Sequence, residues 1–525
     1  MRSAFRTITV RLLDRCLAAG FLAAFVWLAV LPCEARQVEI TVLNTTDLHG
    51  HILPGTDYAG RENVGGLLRC ATLIHQLRNE HPNSLLIDCG DLYQGTAESY
   101  LTEGRIMVRA LDMLNYDAWV LGNHEFDWGL SKMKRLIGAS LTPVLAANIV
   151  ARRGYPIPFP SVSPYIIREV DGVKVAIIGL ITPGVPRWST PDLFGEALFE
   201  KSVDALRRIM PLVRAEQPDV LLLAAHQGCK VNGDDHANEI NAIAAEFPEF
   251  DVIVGGHTHR AIPEMWLKDR ILYTQAGYHG IWLGQLNLTY DTVARQVIAK
   301  SAKLHHIDET IPNDPQMEAE FAPELEKAKT YLNRVIGNVT TPITWAGDEF
   351  GSSPVQALIA RSIAAAAGAD LALHGVLSEE NLNPGEMKMA DLWRIVPYEN
   401  RIAVVQVTPG ELIEILDENA SARSSISLMG LYGAKYEWKD GPDGKRHPAN
   451  LTLADGTSPH PRMRLNLALN SFSVASGGGR YMKLREIAER PESRLRILEI
   501  DTRTAVLDYL KRHSPLNAET LLGSP

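Results

Sequence analysis

Val38-Glu39-Ile40-Thr41-Val42-Leu43-Asn44-Thr45-Thr46-Asp47-Leu48-His49 is the stretch on which the fold turns. Residues 38–43 are rich in β-branched side chains, as a strand is. The run then stops at polar residues of a particular kind. Asp47 and His49 are two apart, so on extended backbone both point to one side. Taken alone, Asp47 is as good a turn or cap residue as a metal ligand.

Four more apolar runs end the same way, on Asp88-Cys89-Gly90-Asp91, Gly122-Asn123-His124-Glu125-Phe126-Asp127, His226-Gln227-Gly228 and Gly255-Gly256-His257-Thr258-His259. Singly, Asn123 is an ordinary turn residue and His226 an ordinary buried histidine, whereas His257 and His259, following two glycines, favour metal by themselves. Ligands in α/β folds gather at the carboxyl ends of strands, so five separate segments can converge on one site. One dinuclear centre is the economical reading of five such endings. The oxygen and nitrogen donors, with no cysteine needed, suit two divalent metal ions drawn from Mn²⁺, Zn²⁺, Fe²⁺ and Co²⁺. No phosphate-binding lysine loop is present.

Between about residues 37 and 300, short β-branched runs alternate with helical stretches, the pattern of an α/β domain of layered sheets. Strands are expected at 38–43, 84–87, 118–121, 173–178, 220–224, 251–254 and 271–273, and helices at 66–80 and 202–215. Residues 314–335, rich in Glu, Lys and Ala and carrying Met317, Phe321, Leu325 and Leu332, predict an amphipathic helix bridging two domains. Residues 355–368 read as helix, and a second mixed domain runs to about residue 511 before a polar tail. A chain of 525 residues suffices for two large domains. The expected division is a first domain over 36–305, a linker helix over 306–335 and a second domain over 336–515.

The first 35 residues stand apart. Arg2, Arg6, Arg11 and Arg15 precede an apolar run over 16–30, and Ala35 is the small residue before Arg36. This reads as a secretory signal, which places the mature chain in the periplasm or outside the cell. The alternative is an uncleaved anchor holding an exported domain at the membrane, since the apolar run is near the lower length for a span. Removing the segment takes away four arginines, Asp14 and Glu34, so the net charge falls from −10 to −12. Such acidity argues against nucleic-acid polymers as partners, whose backbones need clustered Lys and Arg. A small anionic substrate still fits where local metal charge outweighs the global field. Cys70, Cys89 and Cys229 are then the remaining cysteines, too few for a disulfide framework.

With Asn44-Thr45-Thr46-Asp47-Leu48-His49-Gly50-His51, Gly65-Gly66-Leu67-Leu68-Arg69 and residues 88–95, 122–127, 226–228 and 255–259, the sequence resembles a known family. It is similar to the 5′-nucleotidases and UDP-sugar hydrolases of the calcineurin-like metallophosphoesterase superfamily, over nearly all of the mature chain. The resemblance implies an α/β (α+β) protein: a four-layer α/β/β/α N-terminal domain joined by a helix to a smaller mixed C-terminal domain that recognises the substrate. It implies that Asp47, His49 and His259 hold the first metal, that Asp91 bridges, and that Asn123, His226 and His257 complete the second. His124 would sit near the phosphate and stabilise the transition state, oriented by Asp127. The implied reaction is hydrolysis of a nucleoside monophosphate, nucleotide sugar or cyclic nucleotide by a metal-activated water.

In the resembling family two aromatic rings of the second domain sandwich the base, and arginines grip the substrate. Residues 369–377, 397–400 and 476–481 align in order with the family's motifs. Tyr398 falls where one stacking ring is expected, with a half-buried core tyrosine as the equal alternative; such stacking is worth about 1–3 kcal/mol per base. Phe472 is the candidate second platform, but it precedes Gly477 by five residues where the family ring precedes by four, and a core position is the favoured reading of it. The family's Asn-Gly-Gly-x-Arg is replaced by His374-Gly375-Val376-Leu377-Ser378, and its Gly-Gly-Asp by Gly477-Gly478-Gly479. Arg361, Arg401 and Arg480 are the candidates to supply the lost guanidinium. These departures open a second reading, in which the same metals act on a sulfur-linked sulfonate as in thiosulfohydrolase relatives. A third, a non-catalytic surface binding protein, is opposed by the completeness of the ligand set with His124 and Asp127.

Overall fold

The computed structural model describes residues 36–155, 159–421 and 428–523, so the expected export segment, residues 1–35, lies outside the described residues. All seven expected strands of the first domain form. They belong to two sheets. In the first, strands pair in the order Gln296–His306, Trp282–Asp291, Gln37–Thr45, Ser84–Asp88, Ala118–Val120, Val144–Leu145 and Val162–Ser163. In the second the order is Ala261–Leu267, Ile271–Ala276, Val252–Gly255, Val220–Ala225, Val173–Leu180 and Tyr165–Val170.

Alternation along each strand decides the layering. Val38, Ile40 and Val42 point inward and pack against Val175, Ile177, Val220 and Leu222 of the facing sheet, all buried. The opposite faces are buried too. Leu43, Leu86 and Trp119 meet the helices Leu67–Glu80, Arg105–Met113 and Leu130–Ala139. On the other side Ile178, Leu223 and Ile253 meet Ser202–Ala215 and Ile240–Glu246. The result is helix, sheet, sheet, helix, as the resemblance implied. Strands buried on both faces explain the near-continuous apolar runs at 84–87, 173–178 and 220–224.

Asp314 caps the bridging helix, Pro315–Leu332, by accepting from Met317 N at 2.8 Å. Its N-terminal half buries Met317 and Phe321 in the core of the first domain, and Tyr331 and Leu332 pack against a separate core beyond it. The helix thus touches both cores. The further domain is built on five strands in the order Gly430–Tyr432, Leu371–His374, Leu465–Asn470, Arg401–Val407 and Arg496–Asp501, backed by Pro354–Ala367. The expected polar tail is not free. Leu516 bridges to Val339, Leu521 is buried, and Arg361 donates from Nε to Leu521 O at 2.8 Å. Two apolar residues spaced through polar sequence sufficed to dock it.

Among the described residues no helix is long and apolar enough to cross a membrane. Cys70, Cys89 and Cys229 are buried free thiols.

Candidate metal centre

The strand ends converge. Gln37–Thr45, Ser84–Asp88 and Ala118–Val120 are parallel neighbours in the first sheet, and Val220–Ala225 and Val252–Gly255 are parallel neighbours in the second. Their carboxyl ends lie at one edge of the sandwich and deliver Asp47 and His49, Asp91, Asn123 and His124, His226, and His257 and His259 respectively. Ligand atoms of Asp47, His49 and His259 lie within 4.8 Å of one another, as do those of Asp91, His226 and His257 and those of His49, Asp91 and His124.

Backbone strain marks the same residues. Asp47, His49, Asp91, His257 and His259 all have φ between 47° and 70°. A non-glycine residue held there costs on the order of 1–3 kcal/mol, which persists only where the surroundings enforce it. Close approach is bought with glycine at Gly122, where a Cβ would overlap Asp91 Oδ1, and at Gly90, where it would lie 2.8 Å from His226 Nδ1.

Hydrogen bonds fix which ring nitrogen each histidine offers. His49 Nδ1 donates to Gln94 O at 2.9 Å and His226 Nδ1 to Cys89 O at 2.7 Å. A carbonyl can only accept, so in the neutral rings both Nε2 atoms are bare lone pairs. His49 Nε2 faces His259 Nε2 at 3.1 Å; His226 Nε2 faces Asp91 Oδ2 at 3.1 Å and Asn123 Oδ1 at 3.3 Å. With the rings neutral these atoms would be acceptors turned on one another, an arrangement that a cation between them would satisfy.

The electrostatics agree. Burial pushes His49 and His257 down to about 3, keeping them neutral. Burial raises Asp47 and Asp91, yet the histidines around them hold Asp47 below and Asp91 well below the usual range. Burial also opposes charge on His226, but Asp91 beside it brings its pKa up to about 9. A proton is drawn to the spot a metal would take, and the residues fit two divalent ions.

His124 sits at the mouth of this cluster. Its main-chain N donates to Asp91 Oδ1 at 2.8 Å, and its Nδ1 pairs with Asp127 Oδ2 at 2.6 Å. Burial favours the neutral ring, but Asp127 and Asp91 together raise it to about 10.

The cluster opens on a cavity of about 350 Å³ that also reaches the second domain. Tyr398 is 41% exposed at its wall, with its ring nearly parallel to that of His124 at 6.4 Å, which is not a core position. Phe472 likewise departs from the favoured expectation: its ring is half-buried and lines the cavity. The helix Ser471–Val474, capped by Asn470, turns it there. Of the three candidate arginines, Arg480 alone lines the cavity, 5.8 Å above the Phe472 ring. Arg361 is occupied by the C-terminal carbonyls, and Arg401 pairs with Asp192 at 2.9 Å.

Several residues that position the site were not singled out from the sequence. The Glu125 carboxylate accepts from Asp91 N, Leu92 N and Gly122 N, and so holds the loop that carries Asp91. Its place between His124 and Asp127 was the available signal. Trp188 sets its ring 5.0 Å from His257 while lining the cavity, and no motif announced it.

Comparison with known proteins gives concordant results. The calcineurin-like phosphoesterase family matches residues 40–261, and the 5′-nucleotidase C-terminal domain matches residues 335–486. Endonuclease YhcR of Bacillus subtilis (strain 168) is 25% identical over 499 residues, covering 91% of this chain and 40% of its own length. The chain therefore spans two fifths of that relative. The snake venom 5′-nucleotidase of Naja atra is 26% identical over 532 residues, covering 90% of this chain and 96% of its own. Among solved structures, a putative 5′-nucleotidase from Staphylococcus aureus shares the fold with a TM-score of 0.77 at 20% identity, over 93% of this chain and 98% of that one.

Proposed function

The chain belongs to the 5′-nucleotidase family of the calcineurin-like metallophosphoesterases, and from that membership we propose that it is an exported hydrolase of nucleotides with two divalent ions as cofactors. Asp47, His49 and His259 would hold the first ion and Asn123, His226 and His257 the second, with Asp91 shared. Divalent ions held there would supply positive charge against the phosphoryl oxygens and acidify the attacking water.

The remaining work falls to the chain. His124, tied through Nδ1 to Asp127, keeps Nε2 for the substrate and stabilises charge developing on the phosphoryl group. Asp127 fixes the ring's orientation. The Glu125 carboxylate fixes the loop that carries Asp91, the carboxylate that would serve both ions.

The observation that carries the nucleotide reading is the far wall of the cavity. Val376, Leu377, Met429, Phe472 and Tyr398 give it flat or apolar surface beside Arg480 and Asn400, and no carboxylate lies there among the described residues. Asn470 spends its amide internally, donating to His374 Nε2 at 3.1 Å and accepting from Ser473 N at 2.7 Å. A nucleoside would gain stacking area on the rings of such a wall. Phosphate release with Mn²⁺ from AMP, 2′,3′-cyclic AMP and glycerol phosphate, with product analysis for UDP-glucose, tests this. Preference for the nucleotides is the expected result. Equal rates on glycerol phosphate would remove the nucleotide assignment, and sulfate release from a thiosulfonate in place of phosphate would transfer the site to the sulfonate reading.

Export rests on the sequence of residues 1–35. N-terminal sequencing of the chain recovered outside the cytoplasm should begin at Arg36; a chain retaining those residues at the membrane would favour the anchor.

A further inference from the structure

Each histidine that offers Nε2 to the centre has a second ring nitrogen to place. His49 and His226 give theirs to main-chain carbonyls in the buried interior. His259 does not. Its Nδ1 lies 2.9 Å from the hydroxyl of Tyr58, a residue 68% exposed on the loop between the first strand and the first helix.

That loop is built to hold the ring. Asp57 accepts from Ala59 N at 2.9 Å, Arg61 N at 2.8 Å and Arg61 Nε at 2.6 Å, and Gly55 pairs with Val64 to close the loop's base. Tyr58 stacks on Tyr278 with ring centres 4.3 Å apart, and its main-chain N donates to the Tyr278 hydroxyl at 3.1 Å. Tyr278 in turn stacks on His259 at 5.4 Å. Neither tyrosine is among the residues that line the cavity.

We propose that Tyr58 is a positioning residue for the metal subsite formed by Asp47, His49 and His259, acting through His259 Nδ1. The inference rests on the dinuclear reading of the centre. To ligate through Nε2 the ring must carry its proton on Nδ1, so the Tyr58 oxygen must accept. That bond orients the imidazole at the one ligand of this subsite whose side chain is substantially exposed, at 26% against 8% for His49 and 0% for Asp47. Partners of this kind are worth about 10–100-fold in metal affinity.

Titration of the metal-free full chain with Mn²⁺ by calorimetry tests this without reference to activity. Two binding events are expected for the unaltered protein. Tyr58→Phe keeps the stack on Tyr278 and loses only the hydroxyl, so it should weaken one event by about 10–100-fold and leave the other in place. Tyr58→Ala should weaken the same event at least as much. Superimposable isotherms for all three proteins would overturn the role of Tyr58 while leaving the dinuclear centre standing. Equal weakening of both events in Tyr58→Phe would overturn it as well, since the effect would not be local to His259. An unaltered protein that binds no Mn²⁺ would sink the dinuclear reading and this inference together.

Discussion

Gln94 joins the candidate metal centre to the second domain through Glu399: its carbonyl accepts from His49 Nδ1 at 2.9 Å, and its side-chain Nε2 donates to Glu399 Oε2 at 3.0 Å. Trp128 Nε1 donates to the same carboxylate oxygen at 3.3 Å, and Arg503 Nη1 reaches the other at 2.7 Å. Glu399 and Arg503 are a buried pair, 7% and 6% exposed. Flanking Glu399 are Tyr398 and Asn400, both on the cavity wall, so this junction sets where the wall stands relative to His124.

Removing one partner of a buried pair leaves the other charge uncompensated, at about 3–5 kcal/mol. Arg503 keeps bonds to Val396 O and Pro397 O and its place 3.4 Å over Trp393, so Glu399→Ala should fall toward the lower end of that range. Urea unfolding measures it. A midpoint equal to that of the unaltered protein would show that the junction carries no stability. Gln94→Ala, which spares the ion pair, should cost far less.

His124→Ala should lower turnover by roughly 10²–10⁴-fold while metal content stays at two ions. The ring touches the ligand cluster but its Nδ1 is spent on Asp127, not on a metal-facing partner. Turnover and bound metal are measured on the same preparation. Unchanged turnover would remove the role assigned to His124, and loss of both ions would make it a ligand instead.

Asp91→Asn gives the complementary outcome. Asp91 Oδ2 lies 3.1 Å from His226 Nε2 and 3.8 Å from His49 Nε2, between the two groups of ligands. Taking its charge away should reduce stoichiometry from two ions toward one or none, since a shared carboxylate serves both. Elemental analysis after dialysis would show it, and two retained ions would mean that the bridge is elsewhere.

Much of the candidate site was legible in the sequence because its polar residues follow the ends of strands, where ligands gather in α/β folds. The five endings at Asp47, Asp91, Asn123, His226 and His257 could be read as one site from the runs before them, and those runs are inner strands of the two sheets, whose outer strands Trp282–Asp291 and Gln296–His306 were not expected. The partners behind the ligands could not be read so. Gln94 and Cys89 act through main-chain oxygens, which any residue possesses, so side-chain identity carries no trace of the role. Tyr58 and Glu399 depend on contacts 201 and 305 residues away, to His259 and Gln94 respectively, which only the folded chain brings about. The docked C-terminal segment was missed for a smaller reason: Leu516 and Leu521 are too sparse for a periodic signal, yet each finds a buried seat.

Phe472 is the residue on which sequence and structure part most usefully. Its spacing from Gly477 suggested a core ring, but the short helix capped by Asn470 turns it onto the cavity beside Arg480. If it stacks on a base, Phe472→Ala forfeits about 1–3 kcal/mol, equivalent to roughly 5–150-fold in affinity. The expected result is a KM for AMP raised within that range, with glycerol phosphate, which has no base, hydrolysed as before. Arg361→Ala serves as the internal control, since that guanidinium is held by Leu521 O and Gly523 O and should leave both substrates unaffected while loosening the C-terminal segment. A Phe472→Ala protein with unchanged KM for AMP would return the ring to a packing role. Equal loss on both substrates would instead point to collapse of the cavity wall.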